Sequence, residues 1–313
     1  MNKITVIGAG SVGSTVAYTL AVQGIASEIV IIDIKEEKAI GEALDIRHGL
    51  PFCTPCSVYA GTYADAANSN IVVITSGLPR KPGQSRLDLA QVNIDVTKKI
   101  MPEITRYAPD AVYLIVSNPV DVLTYAFCKR SGLPESRIIG SGTILDTARL
   151  RSRLSEIFSI SQNNVHAYIM GEHGDSSFAP WSLANISNIH VDAYAKAFSS
   201  QDEPIVLDHD EIEEYVRTAG GKVIQRKGAT FYGVSMSVAY ICKCLLSGIN
   251  TTMTVSTMMH GEYGIDDVCL STLSVVGNHG IEREIILPLN DVEIAKLRNS
   301  AAKLKEIIDN TNI

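Results

Sequence analysis

Asp146, Arg149 and His173 have the residue types that chemistry on a small keto acid needs. His173 stands between glycines in Gly171-Glu172-His173-Gly174-Asp175-Ser176, just after the apolar run 165–170. An imidazole gains or loses a proton near neutral pH, so beside a reacting oxygen it serves as general acid and base. Asp146 and Arg149 lie three apart in a helical stretch and so share one face. A carboxylate orients an imidazole, and a guanidinium grips a substrate carboxylate through paired hydrogen bonds. Together the three fit hydride transfer to a 2-keto acid. A lone histidine is more often structural, however, and spacing alone does not bring 146 and 173 together.

A second group suits a dinucleotide. Gly8-Ala9-Gly10-Ser11-Val12-Gly13 follows an apolar strand and opens a helix. Gly8 permits the tight turn, and Gly10 lets backbone amides approach a pyrophosphate. Gly13 lets the helix pack on the strand with its N-terminus facing the anion. Asp33 ends the next strand, about 20 residues on, where an acid binds both ribose hydroxyls. A carboxylate there repels a 2′-phosphate, which favours NAD over NADP. The competing reading is a glycine turn that only packs, with Asp33 capping a strand.

The elements that must position these groups show in the hydrophobic pattern. Apolar runs at 4–7, 29–32, 71–75 and 112–116 alternate with helical segments in the first half. Continuous apolar strands between helices predict a parallel sheet covered on both faces. After about residue 143 the texture changes. A helix is expected to 158, with Leu150, Leu154, Ile157 and Phe158 on one side. Asn278-His279-Gly280 reads as a hairpin turn between 269–276 and 281–287. A closing amphipathic helix carries Leu297, Ala301, Leu304 and Ile308 behind a cap at Asn290 or Asp291. The expected fold class is α/β. A Rossmann-like, doubly wound parallel sheet (1–141) would bind the cofactor, and a mixed α+β catalytic domain (142–313) the substrate.

Composition narrows the partners. With 313 residues, 46% of them hydrophobic, the chain can bury a large core. Its 34 acidic against 27 basic residues argue against nucleic acid or anionic lipid as a partner. No apolar run reaches the roughly 18–20 residues of a membrane span, and the first strand starts almost at once. A cytoplasmic enzyme is therefore expected. Six cysteines, with one C-x-x-C (Cys53, Cys56) and one C-x-C (Cys242, Cys244), lack the second matched pair of a zinc site. Free thiols and no metal are expected.

Over essentially its full length the chain resembles the L-lactate/malate dehydrogenase family. The matching stretches are 7–13, the loop 77–89, Ser117-Asn118-Pro119-Val120-Asp121, Leu145-Asp146-Thr147-Ala148-Arg149, 171–176 and Gly228-Ala229-Thr230-Phe231-Tyr232-Gly233. The resemblance implies that His173 exchanges the proton, Asp146 holds its tautomer, and Arg149 binds the substrate's C1 carboxylate. It implies that Asn118 bonds the reacting oxygen, that Asn118–Pro119 is cis, and that Arg86 arrives on a closing loop to polarise the ketone. Thr230 falls in the substrate pocket. Cofactor contacts fall to Gly8, Gly10, Val12, Gly13, Asp33 and Asn118, with NAD as the cofactor.

The resemblance divides over substrate. Gly-Glu-His before the catalytic position, Thr230 and Leu-Asp-Thr-Ala-Arg look like lactate enzymes. Arg80, six residues before the loop arginine, looks like malate enzymes. Oxaloacetate offers that arginine a second carboxylate, whereas pyruvate would leave it buried and unpaired, at roughly 3–5 kcal/mol. Malate is therefore the expected substrate, with L-lactate dehydrogenase as the alternative and a catalytically silent NAD-binding protein as a remote one. Arg151 and His166 fall where allosteric bacterial lactate enzymes bind fructose 1,6-bisphosphate between subunits, which makes them candidate effector residues. The resemblance also implies a homotetramer or dimer.

Overall fold

The computed structural model describes residues 2–79, 86–200 and 204–313, with Arg86 described in its backbone only. The short β-branched runs form the centre of one sheet. Strands β1 (Lys3–Ile7), β2 (Glu28–Ile32), β3 (Ser57–Ala60), β4 (Ile71–Ile74), β5 (Val112–Ile115) and β6 (Ile138–Gly140) pair in parallel, in the order β3-β2-β1-β4-β5-β6. Helices α1 (Ser11–Val22), α2 (Glu36–Gly49), α3 (Arg86–Tyr107) and α4 (Val120–Arg130) join them. Every residue of β4 and β5 is buried, which is why these strands read as unbroken apolar runs rather than alternating ones. The strand order reverses between β1 and β4, and a crevice opens at the carboxyl ends of strands at such a switch point.

The second half adds α5 (Ile144–Phe158) and a small antiparallel sheet of β7 (Val165–His166), β8 (Asn185–Ile186) and β9 (Ile189–His190). Helices α6 (Val191–Phe198), α7 (His209–Lys227) and α8 (Tyr232–Ser247) follow, then strands β10 (Thr251–His260), β11 (Asp266–Gly277) and β12 (Gly280–Glu284), and helix α9 (Asp291–Asp309). β10 joins β6 antiparallel, opposite Gly140 at Ser256, so one nine-stranded sheet runs β12-β11-β10-β6-β5-β4-β1-β2-β3. The architecture is the expected doubly wound sheet followed by a mixed α/β half.

Two cores flank the large sheet. One holds Ile7, Val72, Tyr113, Phe127 and Leu297; the other holds Ile4, Val6, Leu20, Leu114 and Val238. A third lies under α5, with Leu150, Leu154 and Phe158 against Trp181, Ile212 and Val216. The hairpin at 278–280 and the closing helix stand as expected, and Asn290 caps α9 in a capping box with Glu293. β12 stops at Glu284, short of the expected 287, where the chain turns towards Pro288 and the Tyr263 hydroxyl accepts the Leu287 N–H at 2.6 Å. No helix among the described residues is long and apolar enough to cross a membrane.

Candidate active site

α5 starts where β6 ends, and its first turn carries Asp146. A carboxylate there is favoured by the helix dipole. Asp146 divides its oxygens: Oδ1 accepts from Arg149 Nη1 at 2.7 Å, and Oδ2 lies 2.6 Å from His173 Nδ1. The shared helix face expected for Asp146 and Arg149 is therefore used, and the long-range meeting with His173 occurs. Bonding at Nδ1 leaves Nε2 as the ring nitrogen that can serve a substrate.

The loop that carries His173 is bolted down by three elements. Gly171 exchanges backbone hydrogen bonds with Ser271 on β11, at 2.9 and 3.0 Å. The Ser300 hydroxyl on α9 accepts the Glu172 N–H at 2.7 Å, and Asp121 Oδ2 on α4 accepts the His173 N–H at 2.8 Å. Gly171 takes φ +92°, where a side chain is strained and a Cβ would press on Ser300.

Charge in this group is set by burial and by its partners. The Asp146 carboxylate raises the affinity of His173 for its proton, and burial opposes this without cancelling it. The net effect lifts His173 above its ordinary value of 6.5. Burial pulls Asp146 upward, but His173 and Arg149 outweigh it and hold its carboxyl below the ordinary 3.8.

His173, Arg149, Asn118, Thr230 and Val12 line one cavity of about 100 Å³, together with Leu145, Val234 and Ser237. The cavity thus joins the α5 pair, the histidine loop, the end of β5, the start of α1 and the start of α8. Asn118–Pro119 is cis. Gly220 in α7 faces Arg149, where a Cβ would lie 3.4 Å from Nη2. Arg86 opens α3, but its side chain lies outside the described residues, as does the whole of Arg80. Arg151 follows Arg149 by two positions, a spacing that turns it away from the cavity face, and its Nε is buried without a partner among the described residues. His166 is exposed on β7.

The nucleotide loop has the shape that a pyrophosphate requires. Gly8 takes φ +107°, and a Cβ on Gly13 would overlap the Gly8 carbonyl oxygen. Around Gly10 nothing lies within 4 Å of a Cβ position, so the approach is open. No side chain caps α1, whose first N–H groups therefore remain for an anion. Asp33 stands at the same mouth, accepting from Ala9 N at 2.6 Å and Lys35 N at 2.8 Å. These residues fit a dinucleotide.

Comparison with known proteins agrees with this geometry. The family described as lactate/malate dehydrogenase, NAD binding domain, matches residues 2–140, and its alpha/beta C-terminal domain matches residues 143–312. The chain belongs to the lactate/malate dehydrogenase family. This family member uses NAD. The L-lactate dehydrogenase of Acetivibrio thermocellus is 48% identical over 313 residues, covering 100% of this chain and 98% of that relative. The L-lactate dehydrogenase of Thermoanaerobacterium saccharolyticum is 45% identical over 313 residues and 100% of both chains. The crystal structure of the minor L-lactate dehydrogenase from Enterococcus mundtii, in a ligand-bound form, superposes with a TM-score of 0.94 at 36% identity, covering 100% of this chain and 99% of that one.

Sequence reading missed two residues that organise this dehydrogenase site. Buried Asn93 on α3 accepts the Leu78 N–H at 2.8 Å and donates to the carbonyls of Leu78, at 3.1 Å, and Asn118, at 2.7 Å. It ties Leu78 to the Asn118 turn, and no periodic signal marks it. Gly220 had a faint signal, since Gly220-Gly221 inside a helix costs about 1 kcal/mol per residue against alanine and so asks for a reason.

Proposed function

We propose that the chain is an NAD-dependent L-lactate dehydrogenase that reduces pyruvate to L-lactate and runs in reverse. The observation that carries the reading is the Asp146–His173 contact at 2.6 Å on the same cavity as Arg149 and Asn118. In this reading Arg149 pairs with the substrate carboxylate, which fixes C2 beside the histidine. His173, protonated at Nε2, gives its proton to the C2 oxygen, and Asp146 steadies the imidazolium meanwhile. Bound NADH supplies the hydride that C2 takes up, so one keto acid, one NADH and one proton become one hydroxy acid and one NAD. Arg86 is assigned to polarising the carbonyl and Thr230 to the methyl side of the pocket. Residues 1–141 serve the cofactor and 142–313 the substrate.

The malate preference expected from Arg80 yields to lactate. Relatives at 45–48% identity over the whole chain are L-lactate dehydrogenases, and against them stands one residue outside the described residues. The buried-charge argument holds only if Arg80 enters the closed pocket; an arginine that stays in water meets no such penalty. Steady-state kinetics on pyruvate and oxaloacetate test this. A kcat/KM at least tenfold higher for pyruvate is expected, and the opposite ratio would return the assignment to malate, with Arg80→Gln then restoring pyruvate.

Regulation and assembly belong to the same reading. Arg151, whose buried Nε has no partner among the described residues, and exposed His166 are assigned to a fructose 1,6-bisphosphate site between subunits of a homotetramer. The effector should lower the KM for pyruvate, and Arg151→Gln should abolish the response. A monomer by light scattering, or no response to the effector, would remove this assignment.

A further inference from the structure

Thr230 stands on the wall of the site cavity, in the link 228–231 between α7 and α8. The link has little of its own to hold it. α7 ends on Gly228 at φ +84°, with open space around it, and no side chain caps α8. No hydrogen bond among the described residues holds the Thr230 side chain. Lys227, the last residue of α7, reaches over the link instead. Its Nζ lies 3.4 Å from the ring centre of Phe231 and 4.0 Å from that of Tyr232. The two rings meet at 4.5 Å and 65°, so they form two sides of one cup around the ammonium. No carboxylate pairs with Lys227 among the described residues, and the negative ring faces are what attract it.

The α8 side of the corner is fixed separately. The Ser235 hydroxyl donates to the Val12 carbonyl at 3.4 Å. Gly233 approaches Leu145 of the cavity wall so closely that a Cβ would lie 3.1 Å from Cδ1. α8 is thus seated on α1 and α5, and the Lys227 cup ties it across the link to α7. A short link held at both ends has few conformations left, so the cup limits how far Thr230 can travel.

We propose that Lys227 is a positioning residue for substrate selection: its cation, cupped by Phe231 and Tyr232, keeps Thr230 at the depth that fits the methyl of pyruvate and disfavours longer 2-keto acids. The proposal deepens, and rests on, the reading of Thr230 as the methyl side of a lactate dehydrogenase pocket.

Lys227→Met keeps the length and the apolar stem and removes the charge. An exposed cation–π contact is worth about two- to fivefold in an equilibrium. The KM for pyruvate should therefore rise by about two- to fivefold while kcat stays within twofold. The preference for pyruvate over 2-ketobutyrate, one methylene longer, should fall by at least about twofold. Lys227→Arg, which returns a cation to the rings, should restore both values. NADH affinity should stay within twofold. A purely structural Lys227 would lower Tm and leave the pyruvate to 2-ketobutyrate ratio where it was. An unmoved ratio, or one that Lys227→Arg fails to restore, overturns the proposal whatever happens to Tm. If Lys227→Met does not fold, Phe231→Leu gives the second reading. It removes a ring and leaves the lysine, so it should move the same ratio the same way, and an unmoved ratio again overturns the proposal. A wild type that prefers oxaloacetate would sink the lactate reading by itself. The KM change between wild type and Lys227→Met, read on the keto acid that the wild type prefers, would still decide the role of the cup.

Discussion

His173 Nδ1 lies 2.6 Å from Asp146 Oδ2 although 27 positions separate the two residues in the chain. The contact fixes which ring nitrogen faces the cavity and stabilises the charged ring. Asp146→Asn keeps the shape and loses both effects. The expected result is a fall in kcat/KM for pyruvate reduction of roughly 10²–10⁴-fold with NADH binding retained. A loss smaller than threefold would show that the pair is only structural.

The pH dependence follows from the same contact. In the proposed reaction reduction needs His173 protonated, so it should hold at low pH and fall as pH rises through a value above 6.5; oxidation should show the reverse. Stability follows with the signs taken separately. His173, raised on folding, contributes fully below 6.5 and loses its contribution as pH climbs through the folded value. Asp146, lowered on folding, contributes above 3.8 and loses its contribution as pH drops through the folded value. The pair should therefore stabilise most between 3.8 and 6.5. In Tm scans against pH, the gap between wild type and Asp146→Asn should be widest there, and a gap constant with pH would contradict it.

The nucleotide loop separates folding from binding at two glycines. Gly10→Ala meets no neighbour within 4 Å, so Tm should change by less than about 2 °C while the Kd for NADH rises at least tenfold. Gly13→Ala drives a methyl into the Gly8 carbonyl and should lower stability by about 1–3 kcal/mol. Calorimetry and fluorescence titration check both, and equal Tm values for the two variants would refute the distinction.

Asp33 should set cofactor choice. NADH should exceed NADPH in kcat/KM by at least about a hundredfold, because a 2′-phosphate would meet the carboxylate. Asp33→Ser should narrow that ratio, chiefly by raising the KM for NADH. Equal use of both cofactors by the wild type would contradict the assignment.

Asn93 should act through the positions of Leu78 and the Asn118 turn. Asn93→Ala releases both Leu78 and the Asn118 turn, so kcat and KM for pyruvate should worsen together, by about three- to tenfold. A change in KM alone would point to a local binding effect.

The parallel strands at β1, β2, β4 and β5, the hairpin before β12 and the capped α9 were legible in the sequence because each is written locally. Unbroken apolar runs mark strands buried on both faces, and a capping residue at Asn290 or Asp291 marks a helix start. The glycine loop and Asp33 were legible for the same reason, since a tight turn and a strand end restrict residue type directly. β3 and β6 were not: β3 buries only Val58 of its four residues and so shows no apolar run, and β6 is only three residues long. The pairing of Ser256 with Gly140, which makes one sheet of the two halves, has no local signature at all. The candidate catalytic group divides along the same line. Asp146 and Arg149 meet through helical spacing, which is local, whereas their meeting with His173 depends on β11, α9 and α4 holding the histidine loop. Asn93 escaped notice because a buried polar side chain shows its purpose only through its partners, and chain folding, not spacing, supplies those partners.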